Sequence, residues 1–231
     1  MRQMIVFRGE VKPLKLSHKV IFAAIACAMV AVAQNPITAD SPFQVKYASN
    51  VTGTSDAVIN ISNSGANGAS LQGPGVGSAG NICVNVYAFS PDEQEVSCCS
   101  CLVTPNALVS LSVFTDLTSN TLTGVRPRDV TVKLVATLAG AGGTGTSCNN
   151  SAATATAGNL ATGLLAWGTV THPAGPINAV PTTTETAFTP ATLSAGELAS
   201  ITNRCLNIIG NGSGFGICRS CRFGGLGGSK L

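Results

Sequence analysis

The placement of nine cysteines constrains this chain most, because it separates a leader from a domain. Cys27 lies inside an apolar run, Val20 to Ala33. Arg2, Arg8, Lys12, Lys15 and Lys19 precede the run, which ends Ala31-Val32-Ala33. A basic start, an apolar stretch too short to span a bilayer and a small-x-small end form the pattern of a secretory signal peptide, here residues 1–33. An uncleaved N-terminal anchor is the alternative. A lipid-modified Cys27 fits less well, because the apolar run continues past it. Eight cysteines follow: Cys83, Cys98, Cys99, Cys101, Cys148, Cys205, Cys218 and Cys221. An even number in an exported chain reads as a disulfide framework, although spacing alone does not choose the pairing.

The leader also carries the basic charge. Residues 1–33 hold five of the 13 basic residues and one of the 10 acidic ones, which leaves eight basic, nine acidic and a formal charge of −1. That balance excludes a basic nucleic-acid face and an anionic-lipid face. With no C-terminal apolar anchor in the sequence, no membrane span is expected once the leader is removed. Charged residues make up only 10% of the chain and apolar ones 45%. The chain therefore has material for a core and too little charge for a solvated disordered polymer.

Residues 34–139 read as β. Phe43–Tyr47, Ala57–Ile61, Ile82–Phe89, Glu95–Val103, Leu108–Phe114 and Val130–Leu138 carry Val, Ile, Leu and Thr with a period of two. Asn67-Gly68, Gly73-Pro74-Gly75 and Ser90-Pro91-Asp92 supply turns between them. In the β82–89/95–103 hairpin, burying Ile82, Val84, Val86 and Ala88 with Val96, Cys98 and Leu102 pairs Ala88 with Val96 and Ile82 with Leu102. That register places Cys83 opposite Cys101, predicts a bridge between them and points Cys98 into the core. Cys98 and Cys99 project to opposite faces of a strand and do not suit each other as partners.

Residues 140–163 form a Gly/Ala/Thr-rich loop holding Cys148 and no charge. The C-terminal part, 164–231, adds strands at Leu164–Thr171 and Thr184–Phe188, a helix over 194–209 and a Gly-rich tail. Ser194 with Glu197 makes a capping box, and Leu198, Ile201, Cys205 and Ile208 recur at helical spacing. Cys205 is expected to bond Cys218 or Cys221 and so pin the tail to the helix. The expected fold is mainly β, a sandwich-like antiparallel domain with one C-terminal helix tethered by disulfides. Residues 34–231 read as one domain.

The strings Ile82-Cys83-Val84-Asn85-Val86-Tyr87, Ser97-Cys98-Cys99-Ser100-Cys101, Val103-Thr104-Pro105-Asn106 and Gly212-Ser213-Gly214-Phe215-Gly216-Ile217-Cys218 resemble those of a family of bacterial secreted proteins described only as hypothetical. The resemblance covers most of residues 34–231. It implies export and brings no activity to assign.

Few residues carry catalytic chemistry. A hydrolase needs a base beside its nucleophile, and His172 is the one histidine after the leader. No G-x-S-x-G elbow occurs. Asp92, Glu93 and Glu95 cluster at a hairpin tip, where a solvated turn accounts for them. The G-x-G-x-x-G matches at Gly75–Gly80 and Gly140–Gly145 lack the following helix that nucleotide binding requires. Cys98, Cys99 and Cys101 with Cys218 and Cys221 are a conceivable thiolate set for zinc, and Cys218-x-x-Cys221 a conceivable redox pair. Structural disulfides explain these cysteines more simply, so no metal, cofactor or catalytic residue is assigned. A binding module for a ligand or surface polymer would show a concave patch holding Trp167, Tyr87 or clustered Phe. The favoured function is a non-catalytic structural or surface protein, secreted, periplasmic or on the cell surface. The alternatives are an extracellular binding module, a secreted hydrolase and a metal-thiolate or redox protein.

Overall fold

The computed structural model describes residues 41–49, 51–52, 55–71, 77–140, 145–148, 155–176, 180–219 and 221–223. The chain divides into two units, Met1–Ala39 and Asp40–Leu231, and every described residue belongs to the second. The signal-peptide assignment, parts of the 140–163 loop and the end of the tail lie outside the described residues.

The strands are β1 (Phe43–Ala48), β2 (Ala57–Asn63), β3 (Ile82–Phe89), β4 (Glu95–Val103), β5 (Leu108–Ser112), β6 (Val130–Leu138), β7 (Leu164–His172), β8 (Thr182–Ala187), β9 (Thr189–Pro190) and β10 (Arg222–Phe223). Helix α1 (Ala195–Gly210) follows β9. Every strand pairing is antiparallel. Sheet 1 has the order β4-β3-β6-β1-β9 and sheet 2 the order β10-β5-β2-β7-β8. Val84, Val86 and Leu134 of sheet 1 share one buried cluster with Ile59, Ile61 and Leu111 of sheet 2. The mainly β, sandwich-like fold with a disulfide-linked C-terminal helix is thus as the sequence predicts.

The chain closes both sides of the sandwich by crossing between sheets. Phe188 sits between β8 and β9, is buried in the main core and fills one side. On the other side, Cys98 N donates to Gly216 O and Cys218 N to Cys98 O, before β10 joins β5. The tail thereby covers the edge of β4, which would otherwise template other chains. Between the sheets, the Lys46 stem lies over Gly168, where a Cβ would come 2.2 Å from Lys46 Cε.

Helix α1 makes a third layer. Its Leu198, Ile201, Cys205 and Ile208 are buried against Phe43, Tyr87, Phe89, Cys98 and Val135 on the outer face of sheet 1. Ser194 Oγ accepts from Glu197 N at 3.0 Å, which confirms the cap. The helix runs one residue past the expected end, with Asn211 as C-cap.

The third layer explains why the expected hairpin register fails. Both faces of β3 are buried, so alternation no longer marks a single core face. The observed pairs are Ile82 with Val103, Val84 with Cys101, Val86 with Cys99 and Tyr87 with Cys98. A β-bulge between Ala88 and Phe89 shifts the register, so Glu95 rather than Val96 faces Phe89. Val96 keeps its place in the core, while the parity of every later residue flips. Cys99, Cys101 and Val103 therefore face the inner core, and Cys98 faces the helix.

The bridges are Cys83–Cys148, Cys98–Cys205, Cys99–Cys218 and Cys101–Cys221. They correct two expectations. Cys83 bonds Cys148 rather than Cys101, because it points outward from β3 toward the loop. Cys205 bonds Cys98 rather than Cys218 or Cys221, so helix and tail are each fastened separately to β4.

Strand β5 also ends early. Ser112 Oγ caps Thr115 N, Asp116 Oδ2 accepts from Ser112 N at 2.7 Å, and Asp56 Oδ1 accepts from Phe114 N at 3.0 Å. These carboxylates turn Val113–Leu117 into one π-helical turn where a continued strand was expected. At the start of β3, Gly80 has φ +78°, and a Cβ there would lie 1.8 Å from Gly68 O. Gly80→Ala is expected to cost roughly 2–3 kcal/mol through a strained φ and displaced backbone. A thermal midpoint unchanged from the parent would refute that reading.

Candidate binding cleft

In this charge-poor chain Glu93, Glu95, Lys133, Glu197 and Arg204 meet where α1 crosses the β3–β4 hairpin. The helix brings a polar stripe to that crossing. Glu197, Ser200, Arg204, Asn207 and Asn211 recur at spacings of three and four, so they share one helical face beside the apolar stripe. Two clefts lie along it. The first, about 470 Å³, is lined by Gln94, Glu95, Asn207 and Asn211 together with Leu122 and Ile208. The second, about 380 Å³, is lined by Phe89, Ser90, Thr131, Lys133, Glu197 and Ser200. Glu93 and Arg204 line both, so these two residues form the ridge between them. Arg204 Nη1 donates to Glu93 O at 3.2 Å. Lys133 pairs with Glu197, and its ammonium lies 4.7 Å from the Phe89 ring centre.

The wall of the first cleft holds a buried carboxyl without a partner. Glu95 is 5% exposed, and neither carboxylate oxygen has a hydrogen-bond partner. A carboxylate oxygen lies within 4.8 Å of the sulfurs of Cys98 and Cys205. Burial pushes the Glu95 pKa up to about 8. Arg204 and Lys133 pull the other way, and Glu197 adds to the rise. A carboxyl in that condition is neutral at pH 7. The Tyr87 hydroxyl, also buried and unpartnered, is raised by burial first and by Glu95 second. Glu95 corrects the reading of the hairpin tip. Asp92 and Glu93 are exposed as a solvated turn requires, but Glu95 is not. The bulge turns it under the helix.

The other residues singled out by the sequence do not converge. All eight cysteines after residue 33 are bridged, so Cys98, Cys99, Cys101, Cys218 and Cys221 offer no thiolate set. Cys218 and Cys221 bond different partners, which removes the C-x-x-C redox pair. Glu95, Cys98 and Cys205 are close enough to share an ion, but the two sulfurs are bonded to each other. His172 is exposed and pairs with Thr184 Oγ1 at 3.0 Å. Tyr87 is under the helix and Trp167 lies on sheet 2, so neither lines the clefts, where Phe89 is the aromatic wall. The sequence reading missed the polar stripe, although its spacing is visible from Glu197 to Asn211.

Comparison with family models, curated proteins and solved structures finds no match to the chain.

Proposed function

We propose that the chain is an exported, non-catalytic structural or surface protein of a bacterium, made durable by its bridges. The observation that carries this reading is the pairing of all eight cysteines after residue 33, across separations of 65, 107, 119 and 120 residues. Such bridges persist in oxidising compartments. The signal-like pattern of residues 1–33 supports the same reading. Among the described residues no helix is long and apolar enough to cross a membrane. The test is expression of the full chain in a bacterium with intact secretion, followed by fractionation and mass analysis of non-reduced material. The expected product lies outside the cytoplasm, begins at Gln34 and has no free thiol. Peptide mapping is expected to give the four pairs above. A cytoplasmic product with titratable thiols would overturn the proposal.

A second reading, an extracellular binding module, is favoured by the cleft pair along α1. Pockets of this size with a few convergent polar groups and a perturbed carboxyl are the usual form of a ligand site. The hydrolase reading has no comparable support: His172 and its hydroxyl partner Thr184 are both exposed on the sheet edge, and among the described residues no carboxylate hydrogen-bonds the ring.

A further inference from the structure

We infer that the two clefts flanking Arg204 form one groove for a neutral, hydroxyl-rich ligand, a short stretch of uncharged saccharide. The inference rests on the binding-module reading and gives it a ligand class. Three properties of the groove select that chemistry.

The first is its hydrogen-bonding character. Gln94, Asn207 and Asn211 place amides around the first cleft, and Ser90, Thr131 and Ser200 place hydroxyls around the second. Amides and hydroxyls both donate and accept, which suits ligands that carry both functions on each hydroxyl. Leu122 and Ile208 add apolar wall for the C–H faces of a ring.

The second is charge balance. Arg204 and Lys133 are matched by Glu93 and Glu197, and Glu95 is neutral at pH 7. A groove without net charge has no field to draw in a polyanion or a polycation. The third is size. Two adjoining clefts of about 470 and 380 Å³ on either side of the Arg204 ridge suit a ligand with more than one unit.

Glu95 gives the site a pH signature. Its occluded carboxyl is faced by Arg204 and Glu197 from α1, Lys133 from β6 and Tyr87 from β3, beside the Cys98–Cys205 bridge. When it ionises, the new anion competes for the Arg204 guanidinium and takes donors out of the groove. Affinity should therefore fall above pH 8.

The test uses the disulfide-intact chain against three sets of immobilised probes. These are neutral oligosaccharides of three to six units (glucans, mannans, galactans and N-acetylhexosamine polymers), polygalacturonate and polylysine. The comparison protein is Gln94→Ala/Asn207→Ala, whose exposed side chains leave the core intact. Its folding is checked by thermal midpoint. The expected result is retention of at least one neutral oligosaccharide, at least tenfold weaker in the double variant. Retention should weaken threefold or more from pH 7 to pH 9 in the parent and stay level in Glu95→Gln. Retention of polygalacturonate or polylysine alone, lost in the double variant, would overturn the ligand class and leave the binding module standing. If no probe distinguishes the parent from the double variant, both readings fall.

Discussion

Reduction of the four bridges is expected to unfold the domain at ambient temperature. Each bridge closes a loop of 65 to 120 residues, and a loop of that length removes about 4–5 kcal/mol of conformational entropy from the unfolded chain. The loops overlap, so the contributions do not simply add. Even half their sum rivals the ~5–15 kcal/mol that ordinary domains have in total. Local structure agrees, because α1 and the tail are both fastened to β4 by sulfur. The measurement is a thermal melt by circular dichroism, with and without a phosphine reductant. Trp167 fluorescence supplies a second probe. The oxidised chain should melt in one transition, and the reduced chain should show none. A reduced chain that keeps a cooperative transition within about 10 °C of the oxidised one would show that packing, not sulfur, holds the fold.

The second large effect is the pH dependence introduced by Glu95. In the unfolded chain its carboxyl titrates near the ordinary value of 4.5, while in the folded chain it titrates at about 8. Between those limits the folded state holds a proton that the unfolded state has released. Stability must then fall as pH rises, by about 1.4 kcal/mol per pH unit, and level off once the folded carboxyl has also ionised. Below pH 4.5 the carboxyl is protonated in both states and contributes no slope. Across the window the loss is of the order of 4–5 kcal/mol. Glu95→Gln keeps the shape and removes the titration. The variant should match the parent near pH 4 and exceed it in denaturant midpoint at pH 9. Parallel midpoints for the two proteins from pH 4 to pH 9 would show that Glu95 ionises freely in the fold.

Much of the architecture could be read from the chain, and the failures have a common cause. The limits of β3, β4 and β6 were legible because Gly, Asn and Pro clusters bound each run of branched residues. The start of α1 was legible because Ser194 and Glu197 form a local cap. These signals all act over a few residues. Register and pairing do not. One extra residue at Val96 reversed the parity of the strand carrying Cys98, Cys99 and Cys101, and with it the face each of these cysteines presents and the expected Cys83–Cys101 pair. Cys148 reaches Cys83 from a loop whose sequence has no periodicity to orient it. Glu95 reads as one acid among three at a turn. Its burial depends on a helix that begins 100 residues later. The polar stripe of α1 was readable in principle, but its meaning needed the hairpin opposite it.

The last bridge also decides how the domain would carry a load. A pull on the two ends runs along the backbone to Cys101, crosses the sulfurs to Cys221 and leaves through the tail. The residues between those two cysteines, which include β5 to β9 and α1, lie off that path. At about 3.4 Å per residue they amount to roughly 400 Å of chain that tension cannot pay out while the bond is intact, and Cys99–Cys218 encloses all but the last three of the same residues as a second stop. Among the described strands, β1 to β4 up to Cys101 lie on the loaded path. For a protein held at a surface, the bridge works as a stop in a line, limiting how far the domain can be drawn out before a covalent bond has to break.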